Sequence, residues 1–290
     1  LLVLEEVLAK HIKPIFQANP HPSLNCETGR KLPRTAGGHA AAQDAYEVQV
    51  WKENPGIGNA LLWCLKSNRC ERTEFYERLW YLVVPPVMTL LDDFEAKYKL
   101  FGIQIVNTML EHVPIPLLTR TGISELILDS LSRALTFLHS PYTPAILRTA
   151  IPAAVDLIKR TTESGSEQRF TKLCALLGGN VIGSVWMYGS EDADAVEASV
   201  DVLPVVVRAL GIGATRYLKA LVPQLTHPLH PIPYKKPRIT LQISSLRALE
   251  TVIQECDHRI ENWKGTIVEA VAKCWVMIWD TKMDEGAFQS

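Results

Sequence analysis

The sequence has no surplus of either charge: 30 Lys and Arg stand against 31 Asp and Glu, a formal net charge of −1. A dedicated nucleic-acid binder carries a strongly basic domain, so the balance argues against that class and leaves room only for a local basic patch. No acidic tail or polybasic arm is present. Cysteine is equally unhelpful to metal or disulfide chemistry. The six residues, Cys26, Cys64, Cys70, Cys174, Cys256 and Cys274, form no Cys-x-x-Cys pair and are irregularly spaced. Reduced thiols in a cytoplasmic or nuclear protein fit that usage. No methionine opens the chain, which is expected to be a fragment of a longer protein. Glu5 and Glu6 follow the apolar start too closely for a signal-peptide core. A membrane span is missing too. The longest uncharged run, Leu173 to Ser190, holds 18 residues and includes Gly178, Gly179, Asn180 and Gly183. A span needs about 20 predominantly apolar residues, so the run reads as a buried helix. Finally, no stretch alternates convincingly with a period of two, which excludes a sheet-based fold.

What remains is apolar residues at helical spacing. The chain has 290 residues, 47% of them hydrophobic, enough for a sizeable core. Residues 1–54 are expected to hold a first helix (to about Phe16) and an irregular region from Asn19 to about Ala42, partly disordered or gapped. From residue 55 to 290 nearly everything reads as helix. Tyr98, Phe101, Ile105, Met109 and Val113 step by three or four, as one buried stripe does. Ile239, Ile243, Leu246, Leu249, Ile253 and Cys256 share a second such face, and Ile267, Val271, Cys274 and Ile278 a third. Thr143-Pro144 reads as an N-cap followed by proline in the first turn. Asp92-Asp93-Phe94 and Ser140-Pro141-Tyr142 are short links, which imply antiparallel neighbours.

These features predict an all-α fold of the HEAT-like α-solenoid class, built of stacked antiparallel helix pairs. Prolines inside helices support it: Pro85 and Pro86, Pro152, Pro204 and Pro223 each sit within apolar residues. Such a proline removes a backbone hydrogen bond and kinks the helix. HEAT repeats recur every ~40–47 residues, whereas Pro86, Pro152 and Pro204 lie 66 and 52 apart. The proline spacing therefore predicts degenerate or interrupted repeats.

No catalytic constellation emerges. Gly178 to Gly183 has the outer glycine spacing of a P-loop, but Ser184 and Val185 stand where lysine and a hydroxyl are needed. Gly56-Ile57-Gly58 and Gly211-Ile212-Gly213 begin a dinucleotide fingerprint and fail at the third glycine. Asp92 and Asp93 precede a helix and read as capping carboxylates. There is no His-Glu-x-x-His. The sequence thus predicts no enzyme, no cofactor and no metal site. Two segments suit contact with another protein. The loop around Tyr234, Lys235, Lys236 and Arg238 combines prolines, an aromatic and three cations, and reads either as a docking loop or as an exposed insertion. Trp275 and Trp279, four apart on one helix, read either as a contact surface, since aromatics are enriched at hot spots, or as the cap of the last repeat.

The run Pro85 to Lys99, in which a helix ends in Leu91-Asp92-Asp93 and a lysine-containing helix follows, resembles a segment of the Tti-two family. Leu117 to Ile123, Gly211 to Lys219 and Leu241 to Leu249 are similar to its later links, and together they cover roughly residues 55 to 260. The resemblance implies a non-enzymatic adaptor of the TTT complex. It implies direct binding to a longer HEAT solenoid, Tti-one, and through it to Tel-two. The ninety-kilodalton heat-shock chaperone and an AAA+ ATPase co-chaperone would be indirect partners. The implied role is maturation of phosphatidylinositol-3-kinase-related kinases such as TOR and the DNA-damage kinases, with no membrane or nucleic acid involved. The alternative is another HEAT-type scaffold or a nuclear-transport solenoid.

Overall fold

The computed structural model describes residues 2–17, 20–34, 49–54, 56–67, 73–231 and 237–287. Among the described residues it is all-α apart from one two-stranded hairpin. It divides into two compact units, Leu1–Arg169 and Phe170–Ser290. Each is a stack of helix pairs, the HEAT-like α-solenoid class the periodicity predicts. Pro55, where the expected boundary falls, lies outside the described residues.

Unit 1 opens with α1 (Leu2–Glu6), a π-helical stretch (Val7–Ile12) and α2 (Lys13–Gln17). Its buried residues are Leu4, Leu8, Ile12 and Phe16, spaced four apart throughout. In an α-helix of 3.6 residues per turn such a stripe drifts by about 40° per step; the wider π turn offsets that drift. The irregular region then contains a hairpin, β1 (Leu24–Asn25) and β2 (Arg30–Lys31), paired antiparallel with Leu24 opposite Lys31. Asn25 Oδ1 accepts from the backbone N–H of Glu27 and Thr28 and shapes the turn. Gly29 closes it with φ +65°, and a Cβ there would lie 2.9 Å from the Trp80 carbonyl oxygen. After a 3₁₀ turn (Val50–Glu53) come α3 (Ile57–Ser67), α4 (Thr73–Leu91), α5 (Ala96–His112), α6 (Ile115–Arg120), α7 (Ile123–Ala134) and α8 (Thr143–Thr161). Thr143 does not cap α8. Its hydroxyl accepts from Ser140 N–H and donates to the Phe137 carbonyl, tying the link together, while Pro144 occupies the first turn as expected.

The second unit takes over within α9 (Glu167–Cys174) and continues through a π-helical stretch (Ala175–Trp186), α10 (Ala193–Leu210), a 3₁₀ segment (Gly211–Tyr217) and α11 (Leu218–Thr226). After α11 come α12 (Ile239–Glu255), the short α13 (Asp257–Ile260) and α14 (Lys264–Ala287). Asp192 caps α10 through Oδ1, which accepts from Asp194 and Ala195 N–H. Asp192→Ala is expected to cost unit 2 about 1 kcal/mol, read as a lower denaturation midpoint with an unchanged m-value. Pro85, Pro86, Pro152, Pro204 and Pro223 all lie inside helices.

The repeat period is not the proline spacing. In unit 1, Lys52 pairs with Glu95 and Glu77 with Arg120, each 43 residues apart, and Phe101 fills the space a Gly58 Cβ would need. In unit 2 the same step joins Cys174 to Tyr217, Glu197 to Thr240, Asp201 to Ser244 and Arg208 to Thr251. Partners that advance together mean parallel helices in successive layers. A step of 43 falls within the HEAT period. The prolines mislead because they occupy different turns of successive helices.

Candidate interaction surface

In unit 1 the link between α4 and α5 is a buried polar corner. Asp92 Oδ2 lies 2.9 Å from His21 Nε2 and accepts from Arg133 at 2.9 Å. Burial alone would raise the Asp92 carboxyl, but the bonds from His21 and Ser130 and the Arg133 charge outweigh it and hold it below its ordinary value. Asp93, fully buried, accepts from Glu95 N–H at 2.8 Å in the turn ahead of α5 and pairs with Lys52 at 3.2 Å. Lys52 Nζ also sits 4.1 Å over the Phe94 ring. Lys99 is buried, donates to the Leu91 carbonyl at the end of α4 and lies over Phe137. Burial lowers its pKa, partly countered by Asp92 and Asp93. His21, Asp92, Asp93 and Lys99 are turned inward on protein partners and Arg133 reaches them from the surface, so the corner is structural. The capping expected of Asp92 and Asp93 is not made: the N-cap position of α5 is Glu95, without a side-chain cap bond, and Asp93 shapes the turn ahead of it. No local pattern signals His21 and Arg133, which tertiary packing brings in from 71 and 41 residues away.

No three His, Cys, Asp or Glu side chains come together as a metal group among the described residues. None of the described helices is long and apolar enough to cross a membrane. Burial pushes the Cys64 and Cys256 thiols up to about 11, which removes the thiolate a nucleophile needs.

Unit 2 carries the surface. Of the contact residues expected from sequence, Tyr234, Lys235 and Lys236 lie outside the described residues. Arg238 is placed at the start of α12 and is already engaged. It pairs with Asp194 and with Glu197, the latter at 3.2 Å, and the Asp194 hydrogen bond raises its pKa. Its job is to tie α12 to α10. A cleft of about 370 Å³ beside it is lined by Val196, Gln224, His227, His230, Leu241 and Met277 among others. Trp275 and Trp279, by contrast, stand 68% and 56% exposed. On α14 only Ile267, Ala270 and Cys274 are buried among the described side chains, while Val271 and Ile278, expected in the core, are exposed. Trp80 and Trp186 are buried, whereas Trp63, like Trp275 and Trp279, is exposed.

α12 departs further from the periodic reading. Leu249 and Cys256 are buried as expected, but Ile239, Ile243, Leu246 and Ile253 are exposed. The helix packs instead through Ser245, Ala248, Leu249 and Val252. Small side chains on that face let α12 approach α10 closely enough for Ser244 to reach Asp201 and for Thr251 to reach Arg208. The larger aliphatics are left on the other side. Sequence reasoning missed this surface because both faces of α12 hold apolar residues at helical spacing.

This arrangement can bury apolar area against a protein and offers no reacting group. In the comparison with known families, residues 1–233 match the Tti2 family. No solved structure matches the chain. The match covers unit 1 and unit 2 as far as the loop before α12; α12 and α14 lie beyond it.

Proposed function

Since the chain belongs to the Tti2 family, a family of scaffold subunits of the TTT complex with Tti-one and Tel-two partners, we propose that it acts as the adaptor through which a Tti-one-like solenoid is held. In this reading the assembly supports chaperone-assisted maturation of phosphatidylinositol-3-kinase-related kinases, TOR among them, in the cytoplasm and nucleus. The kinases and the heat-shock machinery are reached indirectly. The observation that carries the reading is the family match across 233 of 290 residues. Supporting it are a fold whose working parts are helix faces and an exposed apolar surface centred on Trp275 and Trp279. Contiguous exposed apolar patches mark interaction sites, and solenoid faces bury such area against other helices.

The test is reconstitution. The intact protein, mixed with purified Tti-one-like and Tel-two-like subunits, should elute with them as one complex of fixed stoichiometry by light scattering. Its depletion from cells should lower steady-state levels of the kinases. A well-folded protein that elutes apart from both subunits would remove the adaptor reading.

A further inference from the structure

The inner half of the α4–α5 corner is closed on itself, but its outer half has the make-up of a cation site. Lys52 comes from the 3₁₀ turn, and its Nζ stands over three aromatic rings. It lies 4.1 Å from the Phe94 centroid, 4.9 Å from that of Tyr98 and 5.4 Å from that of Trp51. All three fall within the ~6 Å reach of a cation–π contact. Two carboxylates complete the surround, Asp93 at 3.2 Å and Glu95 by a direct hydrogen bond. A simple ion pair needs one carboxylate and no rings. Several ring faces around one ammonium are the arrangement that recognises choline and methylated lysine.

The cage does not depend on Lys52 for its shape. Trp51 is buried, stacks on Phe16 at 5.8 Å and meets Tyr98 edge-on at 4.7 Å. Asp93 is fixed by the Glu95 N–H, and Tyr98 stands in the first turn of α5. The mouth opens to solvent, since Phe94 is 57% exposed and the Glu95 side chain 46%, against 18% for that of Lys52. The floor is short of donors: Asp93 Oδ2 is buried and finds no hydrogen-bond partner among the described residues. Lys97 Nζ also lies 5.3 Å from the Tyr98 ring, so that ring is shared by two ammonium groups.

We propose that this cage is a binding site for an alkylammonium ligand, the side chain of a methylated lysine or a choline-type headgroup, and that Lys52 is the internal occupant such a ligand displaces. The inference is independent of the adaptor reading. Ring faces and carboxylates all present negative potential, so an anionic group is repelled and a neutral one gains little. A primary ammonium is compact and strongly hydrated. A quaternary one carries methyl groups that pack against the three rings, and it draws more from them than Lys52 does. Lys52 holds the advantage of being tethered, which gives it a high effective concentration. The cage is thus shut against weak ligands and opens fully only when Lys52 is withdrawn.

The probe is choline chloride, added to the intact protein. Its control is the neutral alcohol in which carbon replaces the choline nitrogen. Lys52→Ala vacates the cage, and the choline methyl resonance should then broaden with a dissociation constant on the order of 1–10 mM, the scale of a ligand of a few atoms. The alcohol should bind at least ~10-fold more weakly, because it lacks the charge the rings attract. Wild type should also bind choline at least ~10-fold more weakly, its own lysine competing. If the folded variant binds neither compound, or both equally, the proposal is wrong. A second measurement uses wild type alone and needs no variant to fold. Acetylation of Lys52, read by mass spectrometry, should be slow in sodium chloride. In tetramethylammonium chloride at equal ionic strength it should be at least ~3-fold faster, the quaternary ion taking the rings from the lysine, with the exposed Lys10 and Lys66 unchanged. An unchanged Lys52 rate would make it a fixed staple and overturn the proposal. Repeating the titration with a trimethyl-lysine amide separates the two sources: tighter binding than choline assigns a protein side chain, weaker binding a headgroup.

Discussion

Replacing Asp92 by alanine is expected to cost unit 1 about 1–3 kcal/mol or more, because it leaves buried polar partners without their acceptor. The magnitude follows from what the variant leaves behind. His21, whose side chain is almost wholly buried, loses the oxygen opposite Nε2. Lys99 loses one of the two carboxylates that offset its burial. Arg133 is largely exposed and can turn to water, so its share of the loss is small. Denaturant titration of unit 1 should therefore show a strongly lowered midpoint. His21→Ala should cost less, because Arg133 still holds the carboxylate, and the double variant should fall short of the sum. The pH dependence supplies a second check. The folded-state carboxyl titrates below its ordinary 3.8, so its contribution is present above that value and is lost as pH falls through the folded-state value. The acid limb of the stability profile should be shallower in Asp92→Ala than in the wild type.

The second large effect is expected at Gly102, in the middle of α5. A Cβ there would lie 2.5 Å from the Leu91 nitrogen, 2.6 Å from its Cα and 2.7 Å from the Leu90 carbonyl carbon. These are backbone atoms of α4, which no rotamer change can move. Gly102→Ala must push apart α4 and α5, one of the most extensively packed helix pairs in unit 1. It is expected to cost about 3 kcal/mol or more, the upper end of overpacking. Gly265→Ala in α14 is the internal control. Nothing lies within 4 Å of the point its methyl would occupy, and there the higher helix propensity of alanine should raise stability by up to about 1 kcal/mol. Opposite signs for one chemical change would establish that helix approach, not glycine entropy, sets the Gly102 requirement. A small loss at Gly102 would mean that α4 and α5 are less closely seated than the structure has them.

The helices, their short links and their prolines were legible because each is a local property, written within one or two turns. The repeat step was legible in principle and hidden in practice. Kinks draw the eye to prolines, whereas the step of 43 lies in paired side chains such as Asp201 and Ser244 or Glu197 and Thr240. Which face of α12 is buried could not be read from its own sequence. Isoleucines at 239, 243 and 253 look like a core stripe until the neighbour that should cover them is sought. The same holds for α14, where two adjoining apolar faces compete and only one has a partner. The Asp92 corner was half legible: a carboxylate pair marks where the helix begins, but Asp93 bonds Glu95 N–H in the turn ahead of α5 and does not cap it. That Asp92 turns the other way, toward a histidine just before the hairpin, depends on how distant segments meet. Arg238 shows the converse, a cation in an exposed-looking loop that proves to be held between two helices.

The hairpin near the start of unit 1 has a kinetic consequence. The helix layers close contacts over 43 residues, but the hairpin and the turn before it reach much farther: His21 to Asp92 spans 71 residues and Lys31 to Glu125 spans 94. Lys31 N–H also donates to the Thr121 carbonyl at 3.0 Å. Long loops cost more entropy to close than short ones, and non-local pairings form after the local ones that prepare their surfaces. The helices can therefore stack before the hairpin lands on them. Contacts that form after the transition state set how fast a structure comes apart rather than how fast it assembles. The hairpin is in that sense a clasp on the first repeats, governing how long they stay shut.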